Sequence, residues 1–323
     1  MGKRISIAET ADWLRERDNF LIITHRRPDG DTIGCAGALA QGLLEAGKTA
    51  YVLSNPETTP RYSRFVEEYW TLDSYKPEHI ITVDTATYDL FPKNGEGYIG
   101  KITLCIDHHP SNSSYAELNC LDETTASCGE IIYEILIALN GSISPRSAEC
   151  LYAAVSTDTG CFAFANTTAK TLRTAALLVE AGASNRKLNR LLFRTKTRSR
   201  IRIEGMINSG LEFYFDGAVA IAVITREMME STKADEDDID DIASMPGSVK
   251  GVLVGITIRE MSSTHDCKVS VRTSPQVNAH AISERFGGGG HPMASGFSLE
   301  QPVEDIKEAL LDALKDFVLV AGG

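Results

Sequence analysis

Residues 20–47 read FLIITHRRPDGDTIGCAGALAQGLLEAG. Phe20 to Thr24 is an unbroken apolar run, the pattern of a strand covered on both faces. A polar segment, His25 to Asp31, interrupts it. Residues 31 to 46 then read as a helix, with Ile33, Ala36, Ala40 and Leu43/Leu44 on one stripe and Gly47 placed to end it. Strand, polar loop and helix in that order begin a parallel α/β layer. The alternation continues with a short strand at Ala50 to Leu53 and two apolar strands, His79 to Val83 and Ile102 to Ile106. The periodicity predicts an amphipathic helix over 126–139, ended by Asn140-Gly141. Ser144-Pro145 opens another, with Ser at the cap and Pro at the first helical position.

The chain has 323 residues, enough for about two domains at roughly 150 residues each. With 43% hydrophobic and 24% charged residues it falls among globular proteins, so disordered and fibrous classes are excluded. The 32 Lys and Arg against 44 Asp and Glu leave a net charge of −12. That balance argues against a grip on long duplex DNA or an anionic membrane, each of which needs a basic face. No apolar run approaches the ~20 residues of a membrane span, and the amino terminus lacks a signal-type apolar region. A cytoplasmic soluble protein is expected. The 7 cysteines contain no CxxC, so neither a disulfide framework nor a zinc knuckle is signalled. Asn112-Ser-Ser and Asn166-Thr-Thr match the glycosylation pattern, which without a secretory signal carries no weight.

Beyond residue 184 the composition shifts. The stretch KLNRLLFRTKTRSRIRIEG, with Arg186 before it, is strongly basic and reads as a solvated helical linker, or as a wall against an oligonucleotide. Strands follow at Ala218 to Ile224, Val252 to Ile258 and Lys268 to Val271, so the fold expected is α/β: a parallel-sheet domain over 1–185, a helical linker over 186–215 and a smaller α/β domain over 216–323. The acidic run Asp235 to Asp241 lacks the glycine and spacing of a calcium loop and is taken as surface. Gly42 to Thr49 matches the P-loop expression, but a helix precedes it and a strand follows, the reverse of what phosphate binding requires.

The chemistry gathers where the strands end. The first strand runs into His25-Arg-Arg-Pro-Asp29-Gly-Asp31, the strand at 79–83 into Asp84, and the strand at 102–106 into Asp107-His108-His109; Asp158 follows the apolar stretch 150–155. Ligands of open parallel sheets bind beyond these carboxyl ends. One acid after a strand is usually a cap or turn residue, but several converging on one rim are not explained so. Two carboxylates ~4 Å apart repel by about 4 kcal/mol at an effective dielectric of 20. Several together would unfold a domain stable by only ~5–15 kcal/mol. Divalent cations remove the conflict, and mixed histidine and carboxylate ligands suit Mn²⁺ better than calcium. Two such ions sharing an Asp are the usual device for in-line attack on phosphorus.

These residues resemble the four motifs of the DHH phosphoesterase superfamily, in order. Lys268-Val-Ser-Val-Arg272-Thr and Arg285-Phe-Gly-Gly-Gly-Gly-His291 resemble its DHH-associated domain, and the two-domain layout is most similar to the oligoribonuclease/pAp phosphatase branch, pAp being 3′-phosphoadenosine 5′-phosphate. The resemblance implies His25, Asp29 and Asp84 on one Mn²⁺, and Asp31, Asp84, His108 and Asp158 on a second, with Mg²⁺ or Co²⁺ as substitutes. It implies that Asp84 bridges, that Asp107 orients a metal-ligating histidine, and that His109 faces the phosphate; Asp84, Asp107, His108 and His109 are thus the catalytic group. Arg26-Arg27 adds positive charge beside His25 where less is expected.

In the second domain the resemblance implies that Arg272 and His291 hold phosphate and nucleotide together with Gly288, Gly289 and Gly290. Glycines expose successive N–H groups and so favour anion-binding nests, and Pro292 reads as a helix start. The expected activity is hydrolysis of short single-stranded oligoribonucleotides or pAp to nucleoside monophosphates by a metal-generated hydroxide. Cyclic di-AMP or its linear product is the alternative substrate, and a nucleotide-binding regulator without catalysis a third reading; a pyrophosphatase is disfavoured by the GGGGH signature. The sequence leaves a homodimer open.

Overall fold

The computed structural model describes residues 2–72, 74–239 and 241–321. The chain divides into two compact units, Met1–Thr195 and Lys196–Gly323. In the first, β1 (Lys3–Arg4), β2 (Phe20–Ile23), β3 (Ala50–Val52), β4 (His79–Val83), β5 (Leu104–Asp107) and β6 (Leu118–Leu121) form one sheet in the order β1-β6-β5-β4-β2-β3, every neighbouring pair parallel. Its helices are α1 (Ile7–Arg15), α2 (Gly30–Glu45), the single turn α3 (Pro60–Ser63), α4 (Cys128–Asn140), α5 (Pro145–Asp158), α6 (Ala169–Glu180) and α7 (Asn185–Asn189). The chain leaves β2 for β3 on one side and returns to lay β4 on the other. The strand order therefore reverses between β2 and β4, which opens a crevice at their carboxyl ends.

Local rules place these elements. β2 is buried at all four positions, as its apolar run requires. Asp29 caps α2 by accepting from the amides of Asp31 and Thr32 at 3.0 and 3.1 Å. Gly47 and Gly141 adopt φ 75°, ending α2 and α4, so the P-loop expression lies at a helix end as its context predicts. Ser144 caps α5 with Pro145 at its first position. The edge strand β1 and its neighbour β6 were not read from the sequence; two and four residues carry too little periodicity. The seven cysteines are all unpaired.

The second unit holds a mixed sheet, ordered β11-β12-β10-β9-β8-β7, from β7 (Glu212–Tyr214), β8 (Val219–Ile224), β9 (Val254–Glu260), β10 (Cys267–Thr273), β11 (Gly289–His291) and β12 (Ala294–Leu299). Its helices are α8 (Arg198–Ser209), α9 (Arg226–Thr232), α10 (Glu236–Ile239), α11 (Ala279–Glu284) and α12 (Val303–Ala321). The segment 186–215, expected as a linker, divides between the two cores. Leu188 and Leu192 are buried in the first, whereas Ile203 and Ile207 pack with Ala222, Ile224 and Ile239 in the second. Its cations are mostly exposed; Lys196 and Arg200 pair with Glu204, and Arg200 also with Asp241. The acidic run is not all surface. Asp238 is buried and accepts from the Thr197 hydroxyl, while Asp240 lies outside the described residues. Among the described residues no helix is long and apolar enough to cross a membrane.

Candidate metal centre

The reversal between β2 and β4 brings the loop after β2 against the ends of β4 and β5. Asp84 directly follows β4 with φ 53°, a left-handed conformation that Asp tolerates better than most residues. Its two oxygens face different partners. Oδ2 lies 3.7 Å from His25 Nε2, and Oδ1 lies 3.5 Å from His108 Nε2. Asp29 Oδ1 is 3.7 Å from the same His25 nitrogen. Asp31 Oδ2 and Asp158 Oδ2 stand 3.9 and 3.5 Å from His108 Nε2. Each trio, His25–Asp29–Asp84 and Asp31–His108–Asp158, offers ligand atoms within 4.8 Å of one another. These separations are too long for hydrogen bonds. Atoms each about 2.1 Å from one shared ion stand roughly 3–3.5 Å apart, so the spacing suits a cation at each trio.

Secondary contacts fix the histidines. His25 Nδ1 is 2.7 Å from Arg26 O, His108 Nδ1 is 3.3 Å from Thr125 O, and His109 Nδ1 is 2.8 Å from Asp107 Oδ1. Oxygens of these kinds only accept, so each Nδ1 carries a proton, and His25 and His108 turn Nε2 toward the carboxylates. Asp107 therefore orients the ring of His109, whereas the ring of His108 is met by the Thr125 carbonyl. Asp107 also accepts from the amides of His108 and His109 and, at 2.6 Å, from the Asn112 side chain. Asp31 is held by the first two amides of α4, from Cys128 at 2.7 Å and Gly129 at 3.0 Å, where the helix end favours negative charge.

Asp158 departs from the strand-end pattern. It is the last residue of α5, and a helix's carboxyl end disfavours a negative charge unless a cation is near. Burial first, then the charges of Asp31 and Asp29, push the carboxyls of Asp84 and Asp158 well above the usual range. Burial opposes a proton on His25, yet Asp29 beside it outweighs that and raises its pKa. Asp84 Oδ1 is buried without a hydrogen-bond partner. These residues fit divalent cations.

Residues 19–155 match the N-terminal domain of the DHH family, and residues 216–319 match the DHHA1 domain. The bifunctional oligoribonuclease and PAP phosphatase NrnA of Thermus thermophilus is 31% identical, covering 93% of this chain and 90% of that one. The chain belongs to the DHH family. It is an enzyme of the hydrolase class, within a family of metal-dependent phosphoesterases. A structure described as an exopolyphosphatase-related protein from Bacteroides fragilis shares the fold, with a TM-score of 0.88, 22% identity and 98% of both chains covered. RecJ of Thermus thermophilus, solved in complex with Mn²⁺, shares it with a TM-score of 0.57 and 13% identity over 96% of this chain and 54% of that one.

The DHHA1 domain corrects one expectation. Pro292 does not start a helix: with Met293 it forms the turn of a hairpin between β11 and β12. Two of the glycines are steric requirements of that hairpin. A Cβ on Gly288 would lie 2.3 Å from Gly296 O, and one on Gly290, at φ 138°, would lie 2.6 Å from Ala294 O. Gly289 has open space, with His280 Cε1 the nearest atom at 3.9 Å. In the register His291 and Arg272 both oppose Ala294, so the two share one sheet face across a small side chain, roughly 10 Å apart at the usual strand spacing. Arg272 Nη1 donates to the carbonyls of Val271 and Ser295 at 3.0 and 3.5 Å. Burial lowers its pKa.

The sequence reading missed the residues that hold the cluster from behind. Asn112 stood out only as a glycosylation match, although it lies three residues past His109. Buried Glu130 accepts from the Ala126 amide at 3.2 Å and from the Thr171 hydroxyl at 2.7 Å, fixing the loop whose Thr125 carbonyl holds His108.

Proposed function

We propose that this chain is a Mn²⁺-dependent phosphoesterase that hydrolyses short oligoribonucleotides and pAp to nucleoside monophosphates. The observation that carries the reading is Asp84, which belongs to the first histidine–carboxylate trio through one oxygen and faces His108 of the second through the other. His25, Asp29 and Asp84 would hold one ion, and Asp31, Asp84, His108 and Asp158 would hold a second. When bound, the two ions supply Lewis-acid stabilisation of the phosphoryl oxygens and acidify the attacking water for in-line displacement. His109, its Nδ1–H held by Asp107 and its pKa raised by that carboxylate against the opposing effect of burial, would donate from a protonated Nε2 to the substrate phosphate. Arg272, His291 and the amides of Gly288, Gly289 and Gly290 contribute contacts to nucleotide phosphates. The substrate class rests on likeness to relatives named as oligoribonuclease and PAP phosphatase.

The test is a turnover panel of a diribonucleotide, pAp and cyclic di-AMP with Mn²⁺, Mg²⁺ or Co²⁺, and with excess EDTA. The expected result is hydrolysis of the first two with Mn²⁺ and none with EDTA. Full turnover by verified metal-free protein overturns the cation mechanism, and preference for cyclic di-AMP replaces the substrate.

A further inference from the structure

The segment after Asp158 has a backbone that sequence alone would not suggest. Gly160, Cys161 and Phe162 adopt φ values of 55°, 57° and 68°, three consecutive left-handed residues of which two are not glycine. Such conformations are unfavourable for side chains with a Cβ and persist only where the surroundings enforce them. Here the enforcement is visible. The amides of Ala163 and Phe164 both donate to Thr159 O, at 2.9 and 3.0 Å, and Cys161 donates to Ser156 O at 2.7 Å. Asn166 ties the far side down by donating to Asp158 O at 3.1 Å and Ala126 O at 3.2 Å.

The two aromatics of this segment part company. Phe162 turns inward, its ring 6.0 Å from that of Tyr152. Phe164 stays 57% exposed. Its ring lies over Gly160, where a Cβ would come within 2.4 Å of Cε1. A side chain at Gly160 would push the ring out of this seat. A single exposed phenylalanine is ordinary. One seated by a strained, tethered turn, six residues after a candidate cation ligand, is not.

We infer that Phe164 is a stacking platform for a nucleobase of the substrate, next to the phosphate held at the metal centre. The inference rests on the phosphoesterase reading and deepens it: part of the nucleotide is read by the DHH domain itself. An exposed ring accepts any base face, so the contact is tolerant of sequence, as short mixed oligoribonucleotides require.

The test compares Phe164→Ala and Phe164→Trp in the full chain with Mn²⁺. Stacking of one base is worth about ten- to a hundredfold in affinity. Phe164→Ala should therefore lose that factor in kcat/KM on diadenylate relative to its loss on the abasic analogue, and Phe164→Trp should recover most of it. A readout independent of turnover is the fluorescence of the introduced indole. Over the background of Trp13 and Trp70, adenosine 5′-monophosphate should quench it and ribose 5-phosphate should not. Equal losses on diadenylate and the abasic analogue, or an indole indifferent to the adenine, would overturn the platform while leaving the phosphoesterase reading in place. Absence of any nucleotide hydrolysis by the unmodified protein would overturn that reading, and the quenching arm would still judge the ring.

Discussion

Asp84 faces a histidine of each trio, so its removal should act differently from removal of any other residue of the cluster. Asp84→Asn keeps the size of the side chain but gives up the shared charge, and more than about a hundredfold of kcat should go while the circular dichroism spectrum is retained. Asn112→Ala frees one oxygen of Asp107 and loosens His109 without touching either trio; losses of outer partners run at roughly ten- to a hundredfold, and the lower figure is expected in kcat. His79 is the control. Its ring packs 5.1 Å from Trp13 and 5.8 Å from Phe20, away from the cluster, so His79→Asn should leave kcat unchanged and cost about 0.5–1.5 kcal/mol in stability. Steady-state rates and thermal melts of the three variants decide the matter. Equal rate losses in Asp84→Asn and His79→Asn would refute the assignment.

Among the elements, the glycine strand is the one whose form contradicts its appearance. A run of four glycines suggests a flexible loop, yet Gly289–His291 pairs in register with Ala294–Gly296. Gly288 and Gly289 make the sharpest contrast. Gly288→Ala drives a Cβ into the Gly296 carbonyl and should cost about 1–3 kcal/mol, as overpacking does. Gly289→Ala meets open space and should melt within about 0.5 kcal/mol of the unmodified protein. If the two melt alike, the strand pairing of β11 is wrong. If β11 holds nucleotide phosphates as proposed, Gly288→Ala should also raise KM for pAp more than Gly289→Ala does.

For the whole molecule, the repulsion at the metal centre is a stability term that depends on both cations and pH. Without ions, the folded chain holds Asp84 and Asp158 well above the ordinary carboxylate range, for reasons of burial and neighbouring charge. The folded state then keeps protons that the unfolded chain has released. Stability is therefore retained below the ordinary range and lost as pH rises toward the raised values. Bound cations reverse the balance, and protons compete with them at low pH. Mn²⁺ at a hundred times its Kd should add about 2.7 kcal/mol, and the rise in Tm over an EDTA-treated sample should be larger at pH 7.5 than at pH 5. Differential scanning fluorimetry at the two values measures it. No rise with Mn²⁺, or a larger one at pH 5, would count against the cluster as a cation site.

The sequence by itself determined the α/β layers, the two-domain division in outline and the set of ionisable residues. Those properties follow from periodicity and from polar residues clustered where apolar strands stop, both local in the chain. Phe20–Ile23 and His79–Val83 could be read because a fully covered strand must be apolar throughout. β6, of four residues, could not, because its partner β5 makes it a strand and its own pattern does not. Which oxygen of Asp84 meets which histidine, that Asp107 holds His109, and that Asp158 arrives on a helix end were decided only by the tertiary structure. The Asp107–His109 contact spans only two residues and turns on side-chain direction, but the pairing at Asp84 depends on the reversal of strand order between β2 and β4, which joins residues dozens of positions apart. The same holds for Gly288 and Gly290, since the atoms that exclude a Cβ there belong to β12 and its turn.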